Sequence, residues 1–239
     1  MIIIRSKILL GSALLAAAVG CAGERTDQTA AVSEEGARAE AAARPVILFV
    51  GTSLTAGMGV GLEQAYPALV QQMIDSADLP FRVVNAGESG GTSAGGVRRI
   101  DWLLRQPVAV LVLELGANDG LRGQDVRALR ANLQVIIDRT VERYPDAQVV
   151  IAGMEAPPNL GKSYTDAFRD VFSDVARSNN AVLIPFLLEG VAGVPELNQA
   201  DGIHPTAQGQ RLIAENVWRV LEPLLMGIMQ GVAVADPPA

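Results

Sequence analysis

At 239 residues, 49% of them hydrophobic and 19% charged, the chain is long enough to bury the core of one domain and too apolar to stay disordered. Its net charge of −7, with few aromatics and no basic tract, argues against a nucleic-acid surface, because phosphate binding depends on clustered Lys and Arg. One Cys and one His leave no usual structural zinc site, and no metal or organic cofactor is expected.

The first segment has the form of an export signal. Arg5 and Lys7 supply a short positive region, followed by an apolar stretch from Ile8 to Gly20. That stretch is shorter than the roughly 20 residues a bilayer-spanning helix needs. The cysteine, Cys21, closes the string "AAAVGC", and small residues before a Cys resemble the bacterial lipobox, in which the Cys becomes the lipidated N-terminus. Ala18 stands where that pattern usually has Leu. The expectation is a lipoprotein signal peptide over 1–20, lipidation at Cys21, and an exported cell-envelope protein anchored on the periplasmic face of a membrane. Ala22 is not the Asp that often retains lipoproteins at the inner membrane, which points to the outer one. The plainer alternative is an ordinary cleaved signal with an incidental thiol. Between Cys21 and Arg44 the only large apolar residue is Val32, so residues 21–44 are read as a flexible tether.

From Pro45 onward the pattern alternates between strands and helices. "VILFVG" (46–51), "FRVVNA" (81–86), "VAVLVLELG" (108–116), "AQVVIAG" (147–153) and "AVLIPF" (181–186) are short, β-branched and almost continuously apolar. Such runs suit strands buried on both faces of a parallel sheet. Pro67 fits the first turn of a helix running to about Ala77, where a missing N–H costs nothing. Val126, Leu129, Leu133, Ile136, Ile137 and Val141 share one helical face, as do Tyr164, Phe168, Val171 and Val175, and later Leu212, Ile213, Asn216, Val217, Val220 and Leu221. The order predicts an α/β fold, a three-layer α/β/α sandwich around a five-stranded parallel sheet, over residues 45–225. Residues 226–239 are left as a C-terminal tail.

In open α/β sheets, sites form beyond the carboxyl ends of the strands. Ser53 lies beyond the first strand, in "GTSL". "GESGGTSAGG" follows the second, "GANDGLRG" with Asn118 and Asp119 the third, and "DGIHPT" with Asp201 and His204 comes after the fifth. A serine becomes a nucleophile near neutral pH when an imidazole takes its proton, and a carboxylate orients that imidazole. Asp201 stands three residues before His204 in a turn shaped by Gly202 and Pro205, so the two side chains can meet. Ser53 N–H, Gly90 N–H and the Asn118 amide are candidate donors for an oxyanion. Each motif alone is commonly a turn or a helix cap; four of them in chain order, each beyond a different strand, are not.

These four segments resemble the blocks of the SGNH, or GDSL-type, hydrolases, and are most similar to the bacterial periplasmic branch of thioesterases, arylesterases and lysophospholipases. The resemblance implies a flavodoxin-like fold. It also implies a serine esterase with Ser53 as nucleophile, Asp201 and His204 completing a triad, and Gly90 and Asn118 completing the oxyanion hole. Thr52 departs from the usual Asp of the first block, which puts the hydrogen bonding of the turn in question, and Asp119 is expected to hold the Asn118 loop. The segment "MEAPPNLGKSY" (154–164) follows the fourth strand, and its Met154, Pro157, Pro158 and Leu160 are candidates to line an acyl or aryl pocket. The nucleophile-elbow motif G-x-S-x-G fails at Thr55, and "GMGVG" (57–61) does not match a dinucleotide fingerprint. The expected substrates are short- to medium-chain acyl or aryl esters, with lysophospholipids and acyl thioesters as extensions. A carbohydrate O-deacetylase and a non-catalytic envelope lipoprotein are the alternatives, and the intact Ser53, Asn118, Asp201 and His204 favour an enzyme.

Overall fold

The computed structural model describes residues 44–231. The expected signal peptide, Cys21, the tether up to residue 43 and the last eight residues of the tail lie outside the described residues.

Five strands form one sheet: β1 (Val46–Gly51), β2 (Arg82–Gly87), β3 (Val110–Glu114), β4 (Gln148–Ala152) and β5 (Val182–Ile184). Their order is β2-β1-β3-β4-β5, and every pairing is parallel. The helices are α1 (Ser53–Ala56), α2 (Tyr66–Ser76), α3 (Ser93–Leu103), α4 (Ala117–Leu121), α5 (Val126–Arg143), α6 (Lys162–Ser178) and α7 (Ala207–Met229). Helix α2 packs against α7, while α3, α5 and α6 pack side by side as a second set. The apolar stripes read from the sequence supply the core: Leu129, Leu133 and Ile136 from α5, Phe168, Val171 and Val175 from α6, and Ile213, Val217 and Leu221 from α7 are all buried.

Two expectations need correction. The central strands β1 and β3 are buried along their whole length, but β2 is half-buried and exposes Asn85. It sits at the edge of the sheet with a partner on one side only, so its apolar run does not imply cover on both faces. The last helix continues to Met229, past the boundary expected at 225, because Leu224 and Leu225 are buried and Ile228 packs against the core.

The sequence pattern also missed α3. It begins with a Thr92 cap whose hydroxyl accepts the Gly95 N–H, and Gly96 then faces Leu115 and Ile136 so closely that a Cβ there would lie 2.4 Å from Leu115 Cδ1. That close approach, together with the burial of Ile100, Leu103 and Leu104 on the same face, seats the helix.

The strand order sets the position of chemistry. Connections leave β1 and β3 toward opposite sides of the sheet, and the crevice between two such strands is where open α/β sheets bind ligands. Ser53 follows β1 and Asn118 follows β3.

Candidate active site

Ser53 begins α1, a single helical turn capped by Thr52 and closed by Gly57, whose φ of 73° is left-handed. Starting the turn leaves the Ser53 N–H without an acceptor among the described residues, as the first amides of a helix must be. The Thr52 carbonyl accepts the Ala56 N–H at 3.0 Å, which fixes the plane of the peptide that carries that amide. Thr52 resolves the question its identity raised. Its hydroxyl lies 3.0 and 3.1 Å from the two carboxyl oxygens of Glu114, and its N–H donates to Oε2 at 2.8 Å. Burial pushes the Glu114 carboxyl up, while hydrogen bonds from Thr52 and Thr55 pull it back.

His204 sits in the loop between β5 and α7. Its Nε2 lies 2.9 Å from Ser53 Oγ, and its Nδ1 lies 2.7 Å from Asp201 Oδ2. The other oxygen of Asp201 accepts the N–H of Ile203 at 2.9 Å and of His204 at 3.0 Å, a turn that Gly202 makes possible at φ 69°. These contacts, the His204 N–H first, then its ring and then the Ile203 N–H, hold the Asp201 carboxyl well below the usual carboxylate range. An ionised carboxylate can only accept, so Nδ1 carries the imidazole proton and Nε2 offers its lone pair to the Ser53 hydroxyl.

A residue the sequence pattern did not single out joins the two halves. Gln199 donates from its amide to Met58 O at 2.7 Å and to Pro205 O at 3.0 Å, and its N–H donates to His204 O at 2.7 Å. Met58 in turn donates its N–H to Ser53 O at 3.0 Å. The loop bearing the acid and base is thereby stitched to the turn bearing the serine. Gly59 makes room for this seam: a Cβ there would lie 2.1 Å from the Gln199 side-chain oxygen.

The glycine and asparagine blocks meet as well. Gly90 adopts φ 76° and its N–H has no acceptor among the described residues; Gly91, grouped with it in the sequence, keeps an ordinary conformation. Asn118 Nδ2 donates to Gly91 O at 2.9 Å, leaving its second amide hydrogen free to point elsewhere. Arg122 donates to Gly90 O at 3.2 Å. Asp119 is buried, and its carboxylate accepts both the N–H and the hydroxyl of Ser93 at the start of α3. It ties the Asn118 loop to that helix, the structural task expected of it.

The loop after β4 is divided. Met154 is a core residue, 4% exposed, so the apolar lining expected of this segment falls to Pro157 and Leu160, which are partly exposed. Leu160 closes a 3-10 turn and leans toward Gly123, just beyond α4. Among the described residues no three of His, Cys, Asp and Glu gather as a metal would require, and no helix is long and apolar enough to cross a membrane.

A model of the GDSL-like Lipase/Acylhydrolase family matches residues 49–212, a span that takes in all four blocks. The chain is 43% identical over 185 residues to Esterase TesA of Pseudomonas aeruginosa, covering 77% of this chain and 91% of that one. It is 36% identical over 187 residues to Thioesterase 1/protease 1/lysophospholipase L1 of Escherichia coli, covering 77% and 87%. Among solved structures, the psychrotrophic esterase EstA from Pseudoalteromonas sp., inhibited by monoethylphosphonate, superposes with a TM-score of 0.71 at 32% identity, over 76% of this chain and 98% of the other.

Proposed function

The chain belongs to the GDSL-like lipase/acylhydrolase family and is a carboxylic ester hydrolase; from that premise we propose that Ser53, His204 and Asp201 carry the reaction through an acyl-enzyme. The observation behind the assignment is the unbroken line of contacts from Asp201 Oδ2 through the imidazole to Ser53 Oγ, at 2.7 and 2.9 Å.

His204 Nε2 takes the hydroxyl proton as Ser53 Oγ attacks the ester carbonyl. The carbonyl oxygen gains charge and receives the N–H groups of Ser53 and Gly90 and the free hydrogen of the Asn118 amide, each such donor being worth about 3 kcal/mol of barrier. Asp201, already ionised, stabilises the imidazolium without taking its proton. The protonated imidazole then gives its proton to the departing alcohol. Water, deprotonated by the same nitrogen, cleaves the acyl-enzyme and restores Ser53.

The substrate class rests on apolar groups beside this machinery. Met58, Leu121 and Ile203 are large side chains with nearly half their surface exposed. The first lies five residues after Ser53, the second three after Asn118, and the third directly precedes His204. With Pro157 and Leu160 they support short- to medium-chain acyl or aryl esters as substrates, with lysophospholipids and acyl thioesters as extensions. The sequence before the described residues supports export and a lipid anchor at Cys21 in the cell envelope.

The test is Ser53→Ala together with a fluorophosphonate probe. The variant keeps a cooperative melt and loses ester hydrolysis, and mass spectrometry of the wild type finds the phosphonate on Ser53. Turnover by the folded variant at wild-type rate refutes the assignment.

A further inference from the structure

Glu114 closes β3 with its side chain fully buried, and acyl transfer as described makes no use of it. A buried carboxyl is costly to keep unless its surroundings hold it for a purpose.

The surroundings are specific. Register places Glu114 beside Gly51, the last residue of the strand that leads to the nucleophile. Glu114 Oε2 accepts the Thr52 N–H at 2.8 Å and the Thr55 hydroxyl at 2.7 Å. The Tyr66 hydroxyl stands 2.7 Å from Thr55 Oγ1 and can donate to it, so a chain of donors ends on the carboxyl. The Thr52 hydroxyl reaches both carboxyl oxygens. Glu114 therefore holds the residue before Ser53 and the residue two after it.

The other end of the same peptide group is held by a base. Gly51 C=O accepts from Arg99 Nη2 at 2.8 Å and from the Glu88 N–H at 3.0 Å, and Arg99 also donates to Ala86 O. Peptide planarity makes Gly51 C=O and Thr52 N–H opposite ends of one rigid plate. Acid grips one end and guanidinium the other. The next plate carries Thr52 C=O, fixed by Ala56 N–H, and Ser53 N–H. The space is closed to any side chain at position 51: a Cβ on Gly51 would lie 1.9 Å from Thr55 Oγ1 and 2.6 Å from Glu114 Oε2.

We infer that Glu114 and Arg99 are positioning residues that clamp the Gly51–Thr52 peptide and through it aim the Ser53 N–H and hydroxyl. This rests on Ser53 being the nucleophile. The clamp acts on the transition state through geometry and leaves the substrate's binding surface untouched. A polar network serving stability alone would change the melting temperature and the folded fraction but not the rate per folded molecule.

Glu114→Gln keeps the shape and one acceptor but weakens the grip on Thr52. The expected result is a folded protein whose kcat per folded molecule falls between roughly tenfold and a hundredfold, the scale of a misplaced catalytic group, with KM within about twofold. The rate of Ser53 phosphonylation falls in parallel. An unchanged kcat, or a loss accounted for by the unfolded fraction, overturns the clamp. If Glu114→Gln does not fold, Thr52→Val and Thr52→Ser decide. The serine variant, which keeps the hydroxyl, must then exceed the valine variant several-fold in kcat, and equal rates refute the inference. Wild-type labelling is the control that separates the two readings, since failure of the probe to modify Ser53 sinks the nucleophile assignment rather than the clamp.

Discussion

Replacing Asn118 by Ala removes one of three donors proposed for the oxyanion, and the structure allows its size to be worked out. Loss of one such donor costs about 2.7–4 kcal/mol, or a hundredfold to a thousandfold in kcat. Asn118 does more than donate: its amide also holds Gly91 O at 2.9 Å, so truncation loosens the backbone that presents the Gly90 N–H. Arg122, at 3.2 Å from Gly90 O on an exposed surface, is a weak substitute for that restraint. The loss is therefore expected at the upper end of the range, near a thousandfold. The ground-state carbonyl asks little of these donors, so KM stays within a few-fold. Asn118→Asp keeps the shape but offers no donor and sets a charge against the developing oxyanion, so it must be worse than Ala. Initial-rate kinetics with p-nitrophenyl butyrate under saturating conditions separate the constants. Asn118→Asp faster than Asn118→Ala, or a change confined to KM, would refute the reasoning.

Asp201, held far below its usual range, keeps its charge as the pH falls through the ordinary carboxylate range, so its carboxyl resonance in an NMR titration should stay unchanged there, and a titration at the usual carboxylate position would contradict the contacts. His204→Ala loses nearly all turnover at neutral pH, whereas Asp201→Asn retains more, and the reverse order in a side-by-side assay contradicts the roles. Across acetyl, butyryl and octanoyl aryl esters, kcat/KM rises with chain length by up to about 0.8 kcal/mol of binding per methylene and then levels. Leu160→Glu flattens that rise while sparing the acetyl ester, and sugar acetates outpacing the butyryl and octanoyl aryl esters would replace the esterase reading with a deacetylase. Cys21→Ser shifts the protein from the membrane pellet to the soluble fraction or leaves the signal uncleaved; membrane association unchanged after normal processing argues for a plain signal peptide.

What could be read from the sequence follows from where information is local. Asp201 and His204 sit in one turn, and four of the five strand runs are followed by a polar motif, so the candidate site was legible once the strands were counted. Helix α3 was not, because its apolar face, Val97, Ile100, Leu103 and Leu104, is confined to its second half behind Gly95 and Gly96 and is interleaved with Arg98, Arg99 and Asp101, while its close seating depends on Gly96 meeting Leu115, a contact across the fold. Glu114 did leave a signal: a single carboxyl inside the run "VLVLELG" is out of character for a central strand. Its partners, Thr52 and Thr55, are about 60 residues earlier, beyond the reach of any periodicity. Gln199 left none, since an amide in a loop looks alike whether it hangs in water or bridges two segments. The half-buried β2 was misjudged because apolar content records what a strand is made of, while its place at the edge is decided by topology.

Because Asp201 and His204 share one short turn while Ser53 belongs to another segment, the proposed triad has one joint that is internally braced and one that is not. Asp201 makes three hydrogen bonds within four residues, two of them to His204 and one to the Ile203 N–H, and warming or mild denaturant has little purchase on so local a unit. The gap to Ser53 is spanned by the Gln199 amide reaching Met58 and by the His204–Ser53 contact itself. Wear on the enzyme should begin there, with turnover fading as this seam opens while the sheet behind it still holds, so a longer-lived catalyst is to be sought by reinforcing the two loops against each other rather than by repacking an already dense interior.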